Sequence, residues 1–132
     1  MTLDELKKLA VSMLDRSYVP YSHFPVGAAL ECSDGEVFTG CNIENAAYSP
    51  TLCAERVAVG KAVSEGHTDF VRIVVAGRSE NFCTPCGVCR QLLYEFNPDM
   101  EVISLNAKGE ELSVPLRVLL PHGFGPDYLL KE

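Results

Sequence analysis

The chain has 132 residues, 47% hydrophobic and 22% charged, with a net charge of −7 and a pI near 4.9. That length supports one sizeable core, the composition argues against a disordered chain, and the longest apolar runs, only a few residues each, are far short of a transmembrane helix. The acidic balance, with eleven Lys and Arg scattered along the sequence, argues against a nucleic-acid partner and for a small substrate.

The opening stretch "TLDELKKLAVSMLDRS" carries Leu3, Leu6, Ala10, Met13 and Leu14 at helical spacing, and Thr2 with Glu5 forms a capping box at its start. Its charges run acidic before basic, unlike a signal or transit peptide, so a cytoplasmic protein is expected. "VPYSHFP" reads as a proline-punctuated loop. "VGAALE" (26–31) and "EVFTGCNIE" (36–44) then read as antiparallel strands joined by a tight Asp-Gly turn. A helix opens at Cys53 and stops at Gly66. "FVRIVVAG" (70–77) is a β-branched run suited to a strand covered on both faces. A helix over 86–96 and a strand over 101–106 complete a strand-helix-strand unit, whose two strands should be parallel. The tail "VPLRVLLPHGFGPDYLL" reads as a short helix and then an irregular segment. The whole predicts a single α/β domain over residues 1–132, a mixed sheet with helices packed on it.

Six cysteines without a secretory context point to reduced thiols, available for metal binding, catalysis or packing. "TPCGVC" offers Thr84 as N-cap, Pro85 at the first helical position, and Cys86 and Cys89 on one helical face. Cys53 also stands near a helix start, where free N–H groups and the helix dipole favour a thiolate. Three thiolates meeting at two helix N-termini are three ligands for a tetrahedral Zn²⁺, with the fourth corner left to water. Glu55 lies too close to Cys53 to ligate the same ion easily, yet near enough to take and deliver the protons of a hydrolytic water. Zinc nucleobase deaminases work on this logic, with a carboxylate that is not a ligand.

Other readings of the same thiols are a redox dithiol and an iron–sulfur run, since Cys83, Cys86 and Cys89 spell C-x-x-C-x-x-C. The fourth cysteine with its following proline is missing, because "RQLL" comes next. A structural zinc in a binding module would recruit a fourth thiol from Cys32, Cys41 or Cys83. Asn42 and Glu44 stand two apart on an extended segment, so an amide and a carboxylate share one face and can hold a ribose hydroxyl.

"CNIENAAYSPTLCAER" followed by "PCGVCRQ" resembles the small homotetrameric cytidine deaminases of pyrimidine salvage, and the likeness runs from "YSHFPVGAAL" to "LLPHGF". The resemblance implies a three-layer α/β/α fold with a five-stranded mixed sheet. It also implies hydrolysis of cytidine and deoxycytidine to uridine and deoxyuridine plus ammonia, with Zn²⁺ as cofactor. On that likeness Cys53, Cys86 and Cys89 hold the metal, Glu55 shuttles protons, and Arg56 offsets the charge of the sulfurs. Asn42 and Glu44 take the 3′-hydroxyl, Phe24 packs on the pyrimidine, and backbone groups of Ala54 and Thr84 meet the base. Tyr48 and Phe124 are implied to act across subunits of a homotetramer with shared sites. A blasticidin S-type deaminase shares the cysteine motifs and is the nearest rival, although it is not expected to keep the ribose-facing "CNIENAAYS".

Overall fold

The computed structural model describes residues 1–130. The last two positions of the domain expected over 1–132 lie outside them. Five strands form one sheet: β1 (Val26–Cys32), β2 (Val37–Cys41), β3 (Phe70–Gly77), β4 (Glu101–Leu105) and β5 (Glu111–Pro115), in the order β2-β1-β3-β4-β5. β3 and β4 are parallel and every other pairing is antiparallel. Helices α1 (Leu3–Ser12), α2 (Ala54–Ser64), α3 (Gly87–Tyr94) and α4 (Leu116–Leu119) cover it.

Strand alternation sends neighbouring residues to opposite faces, and this divides the core in two. Ala29, Val74, Ala76 and Ile103 face Leu6 and Ala10 of α1. Ala28, Leu30, Ile73, Val75 and Val102 face Ala54, Ala58 and Ala62 of α2, with Leu93 of α3 and Leu116 of α4. Burial on both sides explains the unbroken apolar run of β3. These are the three layers of the expected fold.

Two glycines let the helices seat closely. A Cβ on Gly27 would lie 2.1 Å from the Ala10 carbonyl oxygen of α1. One on Gly40 would lie 2.2 Å from the Ala54 carbonyl oxygen and 2.7 Å from the Ala58 nitrogen of α2. The capping box is present as read: the Glu5 N–H donates to Thr2 Oγ1 at 3.2 Å and the Thr2 N–H to Glu5 Oε1 at 3.5 Å.

Several helix and strand ends differ from the sequence reading by one or two residues, and three further differences have a structural cause. β2 stops at Cys41, because the side chains beyond it turn to bind a loop. β5 has no counterpart among the strands read from the sequence; most of it is exposed, so it lacks the apolar alternation that marks a strand. The N-cap of α3 is Cys86 and not Thr84. Arg90 holds the Pro85 carbonyl outside the helix at 2.7 Å, and the helical ladder begins with the Arg90 N–H donating to the Cys86 carbonyl at 2.9 Å.

Candidate metal centre and substrate cavity

The antiparallel and parallel registers bring the start of β1, the end of β2 and the end of β3 to one edge of the sheet, with Val26 opposite Gly77 and Gly27 opposite Cys41. The N-termini of α2 and α3 converge above that edge, since Cys53 caps one helix and Cys86 the other. Clefts at the carboxyl ends of parallel strands are where α/β folds bind small molecules. A cavity of about 220 Å³ opens there.

At one end of the cavity stand the thiols. The sulfurs of Cys53, Cys86 and Cys89 all lie within 4.8 Å of one another, and Cys53 and Cys86 are 3.9 Å apart. Tetrahedral zinc–thiolate bonds of about 2.3 Å set sulfurs about 3.8 Å apart, so the donor set and its spacing suit zinc. No fourth Cys, His, Asp or Glu among the described residues joins the group. Cys32, Cys41 and Cys83 stay outside it, which disfavours both a closed structural zinc and an iron–sulfur cluster.

The thiols perturb each other. A hydrogen bond from Cys89 draws Cys53 down to about 6, with Cys86 and the Arg56 guanidinium adding to the effect. The same bond, together with burial, pushes Cys89 upward. A negative charge is thus favoured at this point even without an ion. Arg56 donates to the Thr51 carbonyl at 3.3 Å and acts on Cys53 through charge.

Glu55, in the first turn of α2, is only 4% exposed, and burial raises its carboxyl to about 7. Cys83 and Thr84 line the cavity beside it. Burial also lifts the Cys83 thiol to about 11, keeping it protonated.

The other end is built by loop 19–25. Asn42 Oδ1 accepts from the Val26 N–H and Asn42 Nδ2 donates to the Phe24 carbonyl, both at 2.9 Å. Glu44 Oε1 accepts from the N–H groups of Tyr21 and Ser22 at 3.0 and 3.1 Å. Both side chains therefore hold the loop while lining the cavity, and Phe24, 47% exposed, lines it with them. Each still has capacity for a ligand, one amide hydrogen and one carboxylate oxygen.

The structure brings Phe24, Asn42, Glu44, Cys53, Ala54, Glu55, Thr84 and Cys86 around one cavity. Tyr48 is not among them. It lines an adjacent hollow of about 450 Å³ with Tyr21 and Ser22, which shares Glu44 and Thr51 with the first. Phe124 is apart as well, its ring against Tyr128 and its carbonyl accepting from Gln91 at 2.8 Å. Arg90 escaped the sequence reading. Besides Pro85 it donates to the Leu119 carbonyl at 2.9 Å, so one guanidinium ties the segment before Cys86 to α4. Its place within "PCGVCRQ" was the available signal.

A three-thiol metal centre beside a buried carboxylate, in a cleft at the edge of a mixed sheet, defines the class of zinc-dependent hydrolases that use a non-ligand acid. The model of the cytidine and deoxycytidylate deaminase zinc-binding region matches residues 1–105, and the chain belongs to that family. A cytidine deaminase of Sporosarcina psychrophila is 45% identical over 98% of this chain and 96% of its own. The crystal structure of cytidine deaminase from Burkholderia pseudomallei superposes with a TM-score of 0.90 at 41% identity, covering 94% of this chain and all of that one. A blasticidin-S deaminase of Bacillus cereus is more distant, 33% identical over 89% of this chain and 88% of its own. Zinc is the cofactor that the family and the cysteine trio require.

Proposed function

We propose that this chain hydrolyses cytidine and deoxycytidine to uridine and deoxyuridine, releasing ammonia. The observation that carries the reading is the pairing, around one cavity, of Cys53 and Cys86 (with Cys89 buried behind them in the thiol trio) and buried Glu55 with the Asn42–Glu44 pair. The first does hydrolytic chemistry and the second suits a sugar hydroxyl.

Cys53, Cys86 and Cys89 would hold the zinc, which when bound supplies Lewis acidity that makes water nucleophilic near neutral pH. Arg56, beside Cys53, offsets the negative charge that three thiolates gather. The Glu55 carboxylate takes a proton from the attacking water and passes it to the departing amine; its burial beside the thiols places it for both halves of that relay. Backbone groups of Ala54 and Thr84 bind the base, and Phe24 packs on its face. Asn42 and Glu44 orient the ribose through its 3′-hydroxyl.

Among the described residues, no Lys or Arg lines this cavity or the hollow beside it. A 5′-phosphate would meet Glu44 and neutral side chains, so a nucleoside and not a nucleotide is the substrate.

Residues 1–132 act as one domain, and we read the working form as a homotetramer with shared sites. Tyr48, 81% exposed with φ of 55° in the hollow beside the cavity, and Phe124, 50% exposed and apart from it, are bulky side chains turned to solvent, as an interface requires. No helix among the described residues is long and apolar enough to cross a membrane. All six cysteines are free, in keeping with the cytoplasm.

The test is incubation of one preparation with cytidine, deoxycytidine, cytidine monophosphate, cytosine and blasticidin S, with metal analysis of the same sample. Turnover of the two nucleosides with one zinc per chain is expected. Preference for blasticidin S or for the nucleotide, or turnover without zinc, would overturn the reading.

A further inference from the structure

The cavity has an apolar flank that neither the metal nor the sugar accounts for. Val26, at the start of β1, and Cys83, after the end of β3, line it side by side, and both pack against the α2 core. Cys83 leans back over Gly77: a Cβ added there would stand 3.1 Å from the Cys83 Cβ and 3.2 Å from its sulfur. The missing side chain at 77 is the space into which Cys83 is seated, so that it forms the cavity wall without filling the cavity.

The inference rests on the proposed substrate. In a cytosine ring the reacting C4 and the sugar-bearing N1 lie at opposite corners. With C4 toward Glu55 and the thiols, and N1 toward Asn42 and Glu44, two flanks remain. One carries N3 and the C2 carbonyl and needs polar partners, which the first turn of α2 supplies from its unpaired N–H groups. The other carries only C5–H and C6–H. A packed valine and a thiol, which behaves as a small apolar group, match that edge and could not satisfy the first.

We infer that Val26 and Cys83 face the C5–C6 edge of the pyrimidine, and that Cys83, seated against Gly77, sets the size of 5-substituent the site admits. Cys83 is thereby a specificity-determining residue. Removing its sulfur enlarges the flank, while lengthening it, or filling Gly77 from behind, shrinks it.

The experiment compares kcat/KM for cytidine, 5-methylcytidine and 5-iodocytidine in zinc-loaded wild type, Cys83→Ala, Cys83→Leu and Gly77→Ala. Each 5-substituted rate is divided by the cytidine rate of the same variant, then by the wild-type ratio. Cys83→Ala should raise the 5-iodo ratio about 10-fold and Cys83→Leu should lower it about 10-fold, the discrimination that a methylene-sized change gives in an apolar pocket. Gly77→Ala should move it in the direction of Cys83→Leu. It alters no cavity residue, and it carries the test if a Cys83 variant sheds metal. Ratios that stay within 2-fold of wild type across the variants would overturn the assignment. Binding of uridine and 5-iodouridine, read as shifts in Tm, tests the same flank without chemistry. A wild type that ignores cytidine yet shows the expected shifts would sink the deaminase reading and leave the flank standing; unshifted binding would sink the flank.

Discussion

Glu55 starts from an ordinary carboxylate value of 4.5 and is carried to about 7 by burial in the first turn of α2. In metal-stripped protein the unfolded chain then loses this proton near pH 4.5, while the folded chain keeps it to about 7. Stability from this group is complete below the lower value and drains away as pH rises to the upper one. A shift of that size corresponds to about 3 kcal/mol. Glu55→Gln, stripped of metal and unfolded in urea, should therefore match wild type near pH 4 and exceed it by about 3 kcal/mol at pH 8. The zinc-loaded variant should keep its metal and lose about 100-fold or more in kcat, since a proton carrier and not a ligand has gone. A rate near wild type would refute that role. Much at this scale was legible in the sequence, because Cys-Ala-Glu and Pro-Cys-x-x-Cys fix chemistry through residue type and spacing alone. The grip of Asn42 and Glu44 on the backbone of loop 19–25 was not, since it depends on where a remote segment folds.

Elements were read where burial is one-sided or complete, as in α1 and β3, and missed where it is slight, as in exposed β5. Thr84 looked like an N-cap because local sequence favours it; the Arg90 clamp on Pro85 moved the helix start two residues on. Gly40 gave no signal, since only the folded contact shows that α2 rests on it. Its replacement by alanine forces the turn bearing Cys53, Ala54 and Glu55 off β2. Gly40→Ala should cost about 1–3 kcal/mol of stability, as overpacking does, and weaken zinc retention against a chelator. Gly60 of the same helix has nothing within 4 Å of an added Cβ and is exposed. Gly60→Ala should instead stabilise by about 1 kcal/mol and leave zinc retention unchanged. Thermal unfolding with parallel metal analysis separates the two.

For the whole molecule, Tyr48 and Phe124 belong to the question of assembly. Phe124, Tyr128, Leu129 and Leu130 are 50%, 64%, 75% and 79% exposed, an apolar group that a solitary copy leaves in water. Light scattering should give four copies, and Phe124→Ala should lose activity more steeply on dilution than wild type. A monomer with full activity would exclude shared sites.

The sheet is one residue thick, so Ala28 and Ala29 answer to different neighbours although they are adjacent in the chain. The α1 side carries none of the cavity's walls, which makes it a place where sequence can drift or be improved without the chemistry noticing. Leu6→Ala should cost about 2–5 kcal/mol by urea unfolding while KM for cytidine holds. Where a hardier form of this enzyme is wanted, the layer turned away from the substrate is the one to rebuild.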